Sequence, residues 1–314
     1  MEGRKKLGCE EPAVLFRVLV HHWESQSTIN DNNHEYFDFL SSNDVSSVSR
    51  IRSTNDLTYL CSIACSYSAK ATMPFSHHSH SGQFCPGHAQ DALEDVIKTA
   101  ISKSFHVFAL TEHMPRHDQD LYPEEVEAGS TFESLTQNEN DYVKTALELR
   151  EKYKDRIALP LGFESDWCGQ HSLELIERSI RTHPFDFFMG SIHHVAGVPI
   201  DFDQADYDRA KNLAGGTDEK LFERYFDEQL EMLQATRPPV VGHFDLIRLK
   251  SSDFNTDWRS MSDVWTKILR NLDFVASYGG ILEINTAALR KGMTEPYPKS
   301  EICQVRAVHD SKNH

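Results

Sequence analysis

Phe185-Asp186-Phe187-Phe188-Met189-Gly190-Ser191-Ile192-His193-His194 decides how this chain is read. The apolar run is too short for an independent helix and stops on a serine and two histidines, as a buried strand does at its polar end. The same shape recurs in Phe75–His80, His106–Leu110, Ile157–Glu164, Val240–Asp245 and Gly280–Asn285. Between these runs lie stretches with helical spacing. Leu93, Val96, Ile97, Ala100 and Ile101 share one face, with Asp91 and Glu94 placed as a capping pair. Leu221, Phe222, Tyr225, Phe226, Leu230 and Leu233 make a second stripe after Thr217, and a third helix is predicted over 258–277, stopped by Gly279-Gly280. Strands alternating with helices this regularly predict an α/β fold built on a parallel sheet. With no G-x-G-x-x-G among the strand-to-helix turns, the pattern favours a barrel over a nucleotide-binding open sheet.

The surrounding composition narrows the setting. The chain has 314 residues and a formal charge of −16, which argues against attachment to nucleic acid or anionic membrane by bulk electrostatics. No apolar run approaches bilayer-spanning length, and the first residues mix acids with bases around a brief apolar stretch, unlike a secretory leader. Cysteines 9, 61, 65, 85, 168 and 303 form neither a disulfide framework nor a C-x-x-C pair, so a reducing, cytoplasmic location is expected. Residues 1–72 are rich in Ser and Asn, and their apolar pieces, Val18-Leu19-Val20 among them, follow no clear period. They are expected to be a poorly ordered extension, with 73–304 as the folded unit and 305–314 as an atypical tail.

Seventeen histidines stand out, and many of them fall where the strands end. His78-Ser79-His80 ends the first run, Thr111-Glu112-His113 follows the second, Glu164 ends the third, His193-His194 the fourth, and Gly242-His243-Phe244-Asp245 closes the fifth. Residues i and i+2 of a strand face the same side, so His78 and His80 can hold one cation. Imidazole favours Zn, Mn or Fe over Ca or Mg, and a carboxylate such as Glu164 can bridge two ions. His78, His80, His113, Glu164, His193 and His243 are therefore read as metal ligands. His77 and His194 are expected on the opposite strand face, and His88, in the loop after the first pair, is a further candidate.

The segments H-x-H, T-E-H, G-x-E-x-D, G-S-I-H-H, G-H-F-D-L and E-I-N-T-x-x-L-R-K-G, at Ser76–Gly82, Leu110–Arg116, Gly162–Asp166, Gly190–Asp203, Val241–Leu249 and Leu282–Pro298, resemble the PHP (polymerase and histidinol phosphatase) superfamily. Within it they are most similar to fungal-type histidinol-phosphate phosphatases. The resemblance implies a distorted seven-stranded βα barrel with up to three metals held by His78, His80, His88, His113, Glu164, His193 and His243. It also implies hydrolysis of L-histidinol phosphate, a small-molecule phosphate ester, to L-histidinol and inorganic phosphate in histidine biosynthesis.

That chemistry needs dications that activate water and neutralise phosphate oxygens, and cationic side chains on the other side of the phosphoryl group. Arg248, Arg290 and Arg116 are the candidates, in that order. Asp166 and His171, just past Glu164, are open to proton transfer or to supporting the ligands, with a satisfied structural role the favoured reading of both. The family's last motif, an Asp-x-His on a strand after Glu295-Pro296-Tyr297-Pro298, has no counterpart in Val305–His314. The expectation is a barrel lacking its last strand and helix, with an unpaired edge. Two other readings follow: a catalytically impaired PHP-like protein, and a PHP phosphoesterase with another substrate. No general acid and no oligomeric state are assigned.

Overall fold

The computed structural model describes residues 75–305 together with the backbone of Arg17–Val20. In chain order the elements are β1 (Arg17–Val20), β2 (Phe75–Ser76), α1 (Leu93–Ser102), β3 (Val107–Phe108), α2 (Pro123–Glu127), α3 (Phe132–Tyr153), β4 (Glu164–Asp166) and α4 (Leu173–Thr182). They continue with β5 (Met189–Ser191), β6 (His194–Val195), β7 (Val198–Pro199), α5 (Gln204–Ala214), α6 (Asp218–Thr236), β8 (Val240–Val241), α7 (Ser262–Tyr278), β9 (Ile281–Ile284), α8 (Ala287–Arg290) and α9 (Ser300–Cys303). Five of the six apolar runs contain a strand and the sixth, Ile157–Glu164, leads into β4 at its last residue, so the α/β reading with a parallel sheet holds.

Five strands form one parallel sheet in the order β1-β9-β8-β5-β4, and β2 pairs in parallel with β3. Parallel bridges Val107–Ala158, Leu110–Leu161 and His113–Glu164 join the two pieces. The strands thus run β2-β3-β4-β5-β8-β9-β1, and no ladder closes β1 onto β2 among the described residues. The sheet corrects one expectation. Within the stretch expected to be loosely attached, Arg17–Val20 is a strand, with Arg17 opposite Ile281 and Val20 opposite Ile284. It occupies the edge of β9 that the sequence leaves open, and so satisfies backbone groups that would otherwise lack partners. The rest of 1–72, and the tail after Val305, lie outside the described residues.

The helices cover this sheet with the faces the spacing predicts. In α1, Leu93, Val96, Ile97 and Ala100 are buried. Its start differs from expectation: Ala92 is the N-cap and makes no side-chain cap bond. The Leu93 N–H instead donates to Gln83 Oε1 at 3.2 Å, while Glu94 is drawn to Lys152 and Tyr153 on α3. In α6, Thr217 Oγ1 accepts from Lys220 N at 3.2 Å, and Leu221, Phe222, Tyr225, Phe226, Met232 and Leu233 are buried. Phe226 packs on Phe244 and Trp258, tying α6 to the strand end that carries His243. Helix α7 begins at Ser262, after a short turn at Trp258–Ser260, and stops at Gly279 with φ +77°. Gly242 is a steric requirement, because a Cβ there would collide with Ser191 Oγ and Met189 Sδ where β5 and β8 approach.

Candidate metal centre

The polar ends of these strands converge on Glu164, the first residue of β4. Its Oε2 lies 3.0 Å from His78 Nε2, 3.1 Å from His80 Nε2 and 3.5 Å from His113 Nε2. Its Oε1 lies 2.9 Å from His243 Nε2 and 3.4 Å from His193 Nε2. The ring nitrogens also face one another: His78 Nε2 and His80 Nε2 are 2.9 Å apart, His193 Nε2 and His243 Nε2 3.2 Å, and His113 Nε2 and His88 Nδ1 3.3 Å. Two nitrogens on one tetrahedral zinc at ~2.0–2.1 Å stand roughly 3.3 Å apart. The donor set therefore fits metal ions, with one carboxylate oxygen toward each of two groups of imidazoles. His78-His80-Glu164, His80-His88-His113 and Glu164-His193-His243 each bring three potential ligand atoms within 4.8 Å of one another. All seven residues read from the sequence as ligands thus come together. His77 and His194 belong to none of these groups.

Carboxylates behind the rings orient them. His78 Nδ1 is 2.8 Å from Glu283 Oε1 on β9, which turns Nε2 toward Glu164. Glu283 Oε2 also accepts from the backbone N–H of His243 at 2.8 Å. Glu112 accepts from Ser81 N and Oγ at 2.9 and 2.6 Å, and its Oε2 lies 3.5 Å from His80 Nδ1. Asp166 Oδ1 holds His193 Nδ1, and its Oδ2 lies 3.2 Å from His113 Nδ1. Such carboxylate–histidine pairs fix which nitrogen is free to ligate. Asp166 thus stands behind two of the candidate ligands. His171 has a structural place instead: its Nε2 lies 2.8 Å from Asp120 Oδ2, and it stands beside His117 rather than in the cluster.

The electrostatics follow from this enclosure. Burial disfavours a charged His78, but Glu164 and Glu283 outweigh it and raise its pKa to about 10. Burial likewise opposes charge on His193, and Asp166 and Glu164 reverse the effect and raise it well above the usual value. Burial would raise Glu164 and Asp166. The neighbouring His78, His113 and His193 hold Glu164 well below the usual range, and Arg116 with His113 and His193 does the same for Asp166. His88 and His113 are lowered, chiefly by burial. Two anionic carboxylates among six imidazoles are a site prepared for positive charge.

The three arginines read as phosphate ligands are placed otherwise. Arg248 is fully buried, and all five of its N–H donors have partners: Asp245 Oδ2 at 3.2 Å, Phe254 O at 3.0 Å, Met293 Sδ at 3.1 Å, Glu295 O at 3.0 Å and Pro296 O at 2.7 Å. It holds the 293–297 loop and lies 4.8 Å from the Tyr297 ring. Arg116 is clamped by Asp166 and Glu125. Arg290 is exposed on α8 and absent from the wall of the cleft above the cluster. That cleft is walled by His78, His80, His88, Glu164, His193 and His243 together with Asp201, Asn285, Lys291 and Tyr297. Lys291 is the lysine or arginine in that wall. It is the neighbour in sequence of Arg290, the second of the three candidates.

Sequence reasoning also missed Glu283 and Glu112. A carboxylate inside the apolar run Ile281-Leu282-Glu283-Ile284 was the available signal for the first, since an unpaired buried charge is prohibitively costly.

A polyhistidine centre bridged by a carboxylate, at the strand ends of a parallel α/β fold, defines a class of metal-binding α/β proteins. The chain belongs to the PHP family, whose PHP domain matches residues 76–287. It is 42% identical over 235 residues to a Schizosaccharomyces pombe protein described as "probable histidinol-phosphatase", covering 74% of this chain and 76% of that one. It is 34% identical over 268 residues to the histidinol-phosphatase of Saccharomyces cerevisiae, covering 74% and 79%. Among solved structures its fold is similar to hisK of Listeria monocytogenes, with TM-score 0.62, 23% identity and coverage of 73% and 89%. It is also similar to a histidinol phosphate phosphatase from Lactococcus lactis solved with zinc, L-histidinol and phosphate, with TM-score 0.51, 21% identity and coverage of 68% and 73%.

Proposed function

We propose that the protein is a metal-dependent phosphomonoesterase that hydrolyses L-histidinol phosphate to L-histidinol and inorganic phosphate. The single observation that carries this reading is Glu164, whose two oxygens face separate imidazole groups beneath one cleft. The two fungal relatives, both named as histidinol-phosphatases, support the substrate. His78, His80, His88, His113, Glu164, His193 and His243 would hold up to three divalent ions, with zinc, manganese or iron matching the imidazole-rich donor set. When bound, these ions supply an activated water and neutralise phosphate oxygens.

The chain's own groups do the rest. Glu283 and Asp166 hold the His78 and His193 rings in one orientation, so these need not turn as charge develops. Lys291, in the cleft wall and in no ion pair among the described residues, takes a phosphate oxygen that the metals do not. Arg248 supports Tyr297 from behind. Arg116 keeps Asp166 anionic.

The family's distorted seven-stranded barrel is our reading of the strand run, with β1 supplying the seventh strand; its place beyond β9 and its proximity to β2 support this. A cytoplasmic location, with a small-molecule substrate and neither nucleic acid nor membrane as partner, rests on charge and cysteine spacing.

Comparing phosphate release from L-histidinol phosphate, an aryl phosphate and a nucleoside monophosphate tests the substrate. The expected order puts histidinol phosphate first in kcat/KM. A nucleotide turned over as well or better would contradict the assignment.

A further inference from the structure

The segment between the fourth strand end and α5 folds back on the metal centre for a reason the ligand set does not explain. β6 and β7 form a tight hairpin, with His194 opposite Pro199 and Val195 opposite Val198. Its turn is Ala196-Gly197, both with positive φ, +56° and +70°. This is the backbone a two-residue hairpin turn demands. The Ile200 N–H then donates to the carbonyl of His193 at 2.9 Å, pinning the returning strand to a ligand residue. The next side chain, Asp201, enters the wall of the cleft.

Asp201 differs from every other carboxylate of that wall. Glu164 belongs to the ligand cluster, whereas Asp201 joins none of the potential ligand groups. It is half-buried and forms no ion pair among the described residues. The neighbour it does have is Tyr122, whose hydroxyl donates to Asp201 Oδ1 at 3.2 Å. Tyr122 is itself fixed: it is buried, its ring lies 5.2 Å from the His194 ring, and the Arg116 guanidinium sits 5.1 Å above it. One carboxylate oxygen is thus held, and the other keeps free acceptor capacity. An aligned carboxylate beside a metal centre repels the phosphoryl group and attracts cations. Lys291 supplies the opposite charge in the same cleft.

We propose that Asp201, oriented by Tyr122, is the specificity-determining residue of this site, and that its carboxylate binds the ammonium group on the alcohol portion of the substrate. The assignment rests on the phosphatase reading above and adds what that reading lacks: the reason an amino-alcohol phosphate is preferred to other monoesters. A charge-assisted hydrogen bond in a half-buried site contributes about 10–100-fold in selectivity.

The test compares L-histidinol phosphate with its analogue lacking the amino group. Wild-type protein is expected to favour the amine by about 10–100-fold in kcat/KM, mostly through KM. Asp201→Asn should bring that ratio close to one with metal content unchanged, and Asp201→Glu, which keeps the charge, should retain part of it. A variant D201N that keeps the wild-type ratio, including one that slows both reactions equally, overturns the assignment. So does a loss of bound metal in D201N, which would make Asp201 a ligand. Wild-type protein inert toward both esters would instead overturn the phosphatase reading, and this inference with it.

Discussion

Arg248 and Lys291 separate two meanings of a positive charge near a phosphate-binding cleft. Every N–H of Arg248 is met by protein, so it has nothing left to offer a substrate. Arg248→Ala is expected to cost about 3–5 kcal/mol, because Asp245 would remain buried and uncompensated, and thermal or denaturant unfolding would read it. Lys291→Ala should leave unfolding nearly unchanged and raise KM for the phosphate ester about 10-fold, the scale of one exposed charge-assisted contact. If K291A behaves as wild type in KM, the phosphate cation lies elsewhere. Asp166→Asn addresses the supporting carboxylates: metal affinity and activity should fall about 10–100-fold while the fold is retained. Six of the seven candidate ligands were legible in the sequence because each sits where an apolar run breaks; His88 lies in the loop after the first pair. Their supports were less so. Glu283 meets His78 across 205 residues of chain, and nothing local to either residue announces the pairing.

At the scale of elements, the stripes were the readable part. The face of α6 was legible from spacing alone because packing against the sheet is what that spacing encodes. Phe226→Ala should therefore destabilise by about 3–5 kcal/mol, since its fully buried ring joins Phe244 and Trp258, and chemical denaturation would measure it. Caps were harder to read. Asp91 and Glu94 have the right spacing for a capping pair, yet Gln83 meets the first N–H of α1 and Lys152 and Tyr153 draw Glu94 away. β1 was illegible for a related reason. A parallel edge strand is specified by the partner it finds, here β9 at the far end of the chain, and not by its own four residues.

For the molecule as a whole, fold and site depend on one another. Strands β2, β3, β4, β5, β8 and β9 place or support the candidate ligands, and the centre at their ends concentrates charge that is costly to bury without cations. Ions that bind only the folded chain stabilise it by mass action, about 2.7 kcal/mol when their concentration is a hundred times Kd, so chelation should lower Tm and re-addition restore it. The most direct measurement of the central claim is metal content and phosphate release from L-histidinol phosphate on one sample, before chelation, after it and after reloading. The account predicts more than one divalent ion per chain, with release abolished by chelation and recovered with the metal. A chain that holds no metal at saturating supply, or that releases phosphate equally well when stripped, would contradict it.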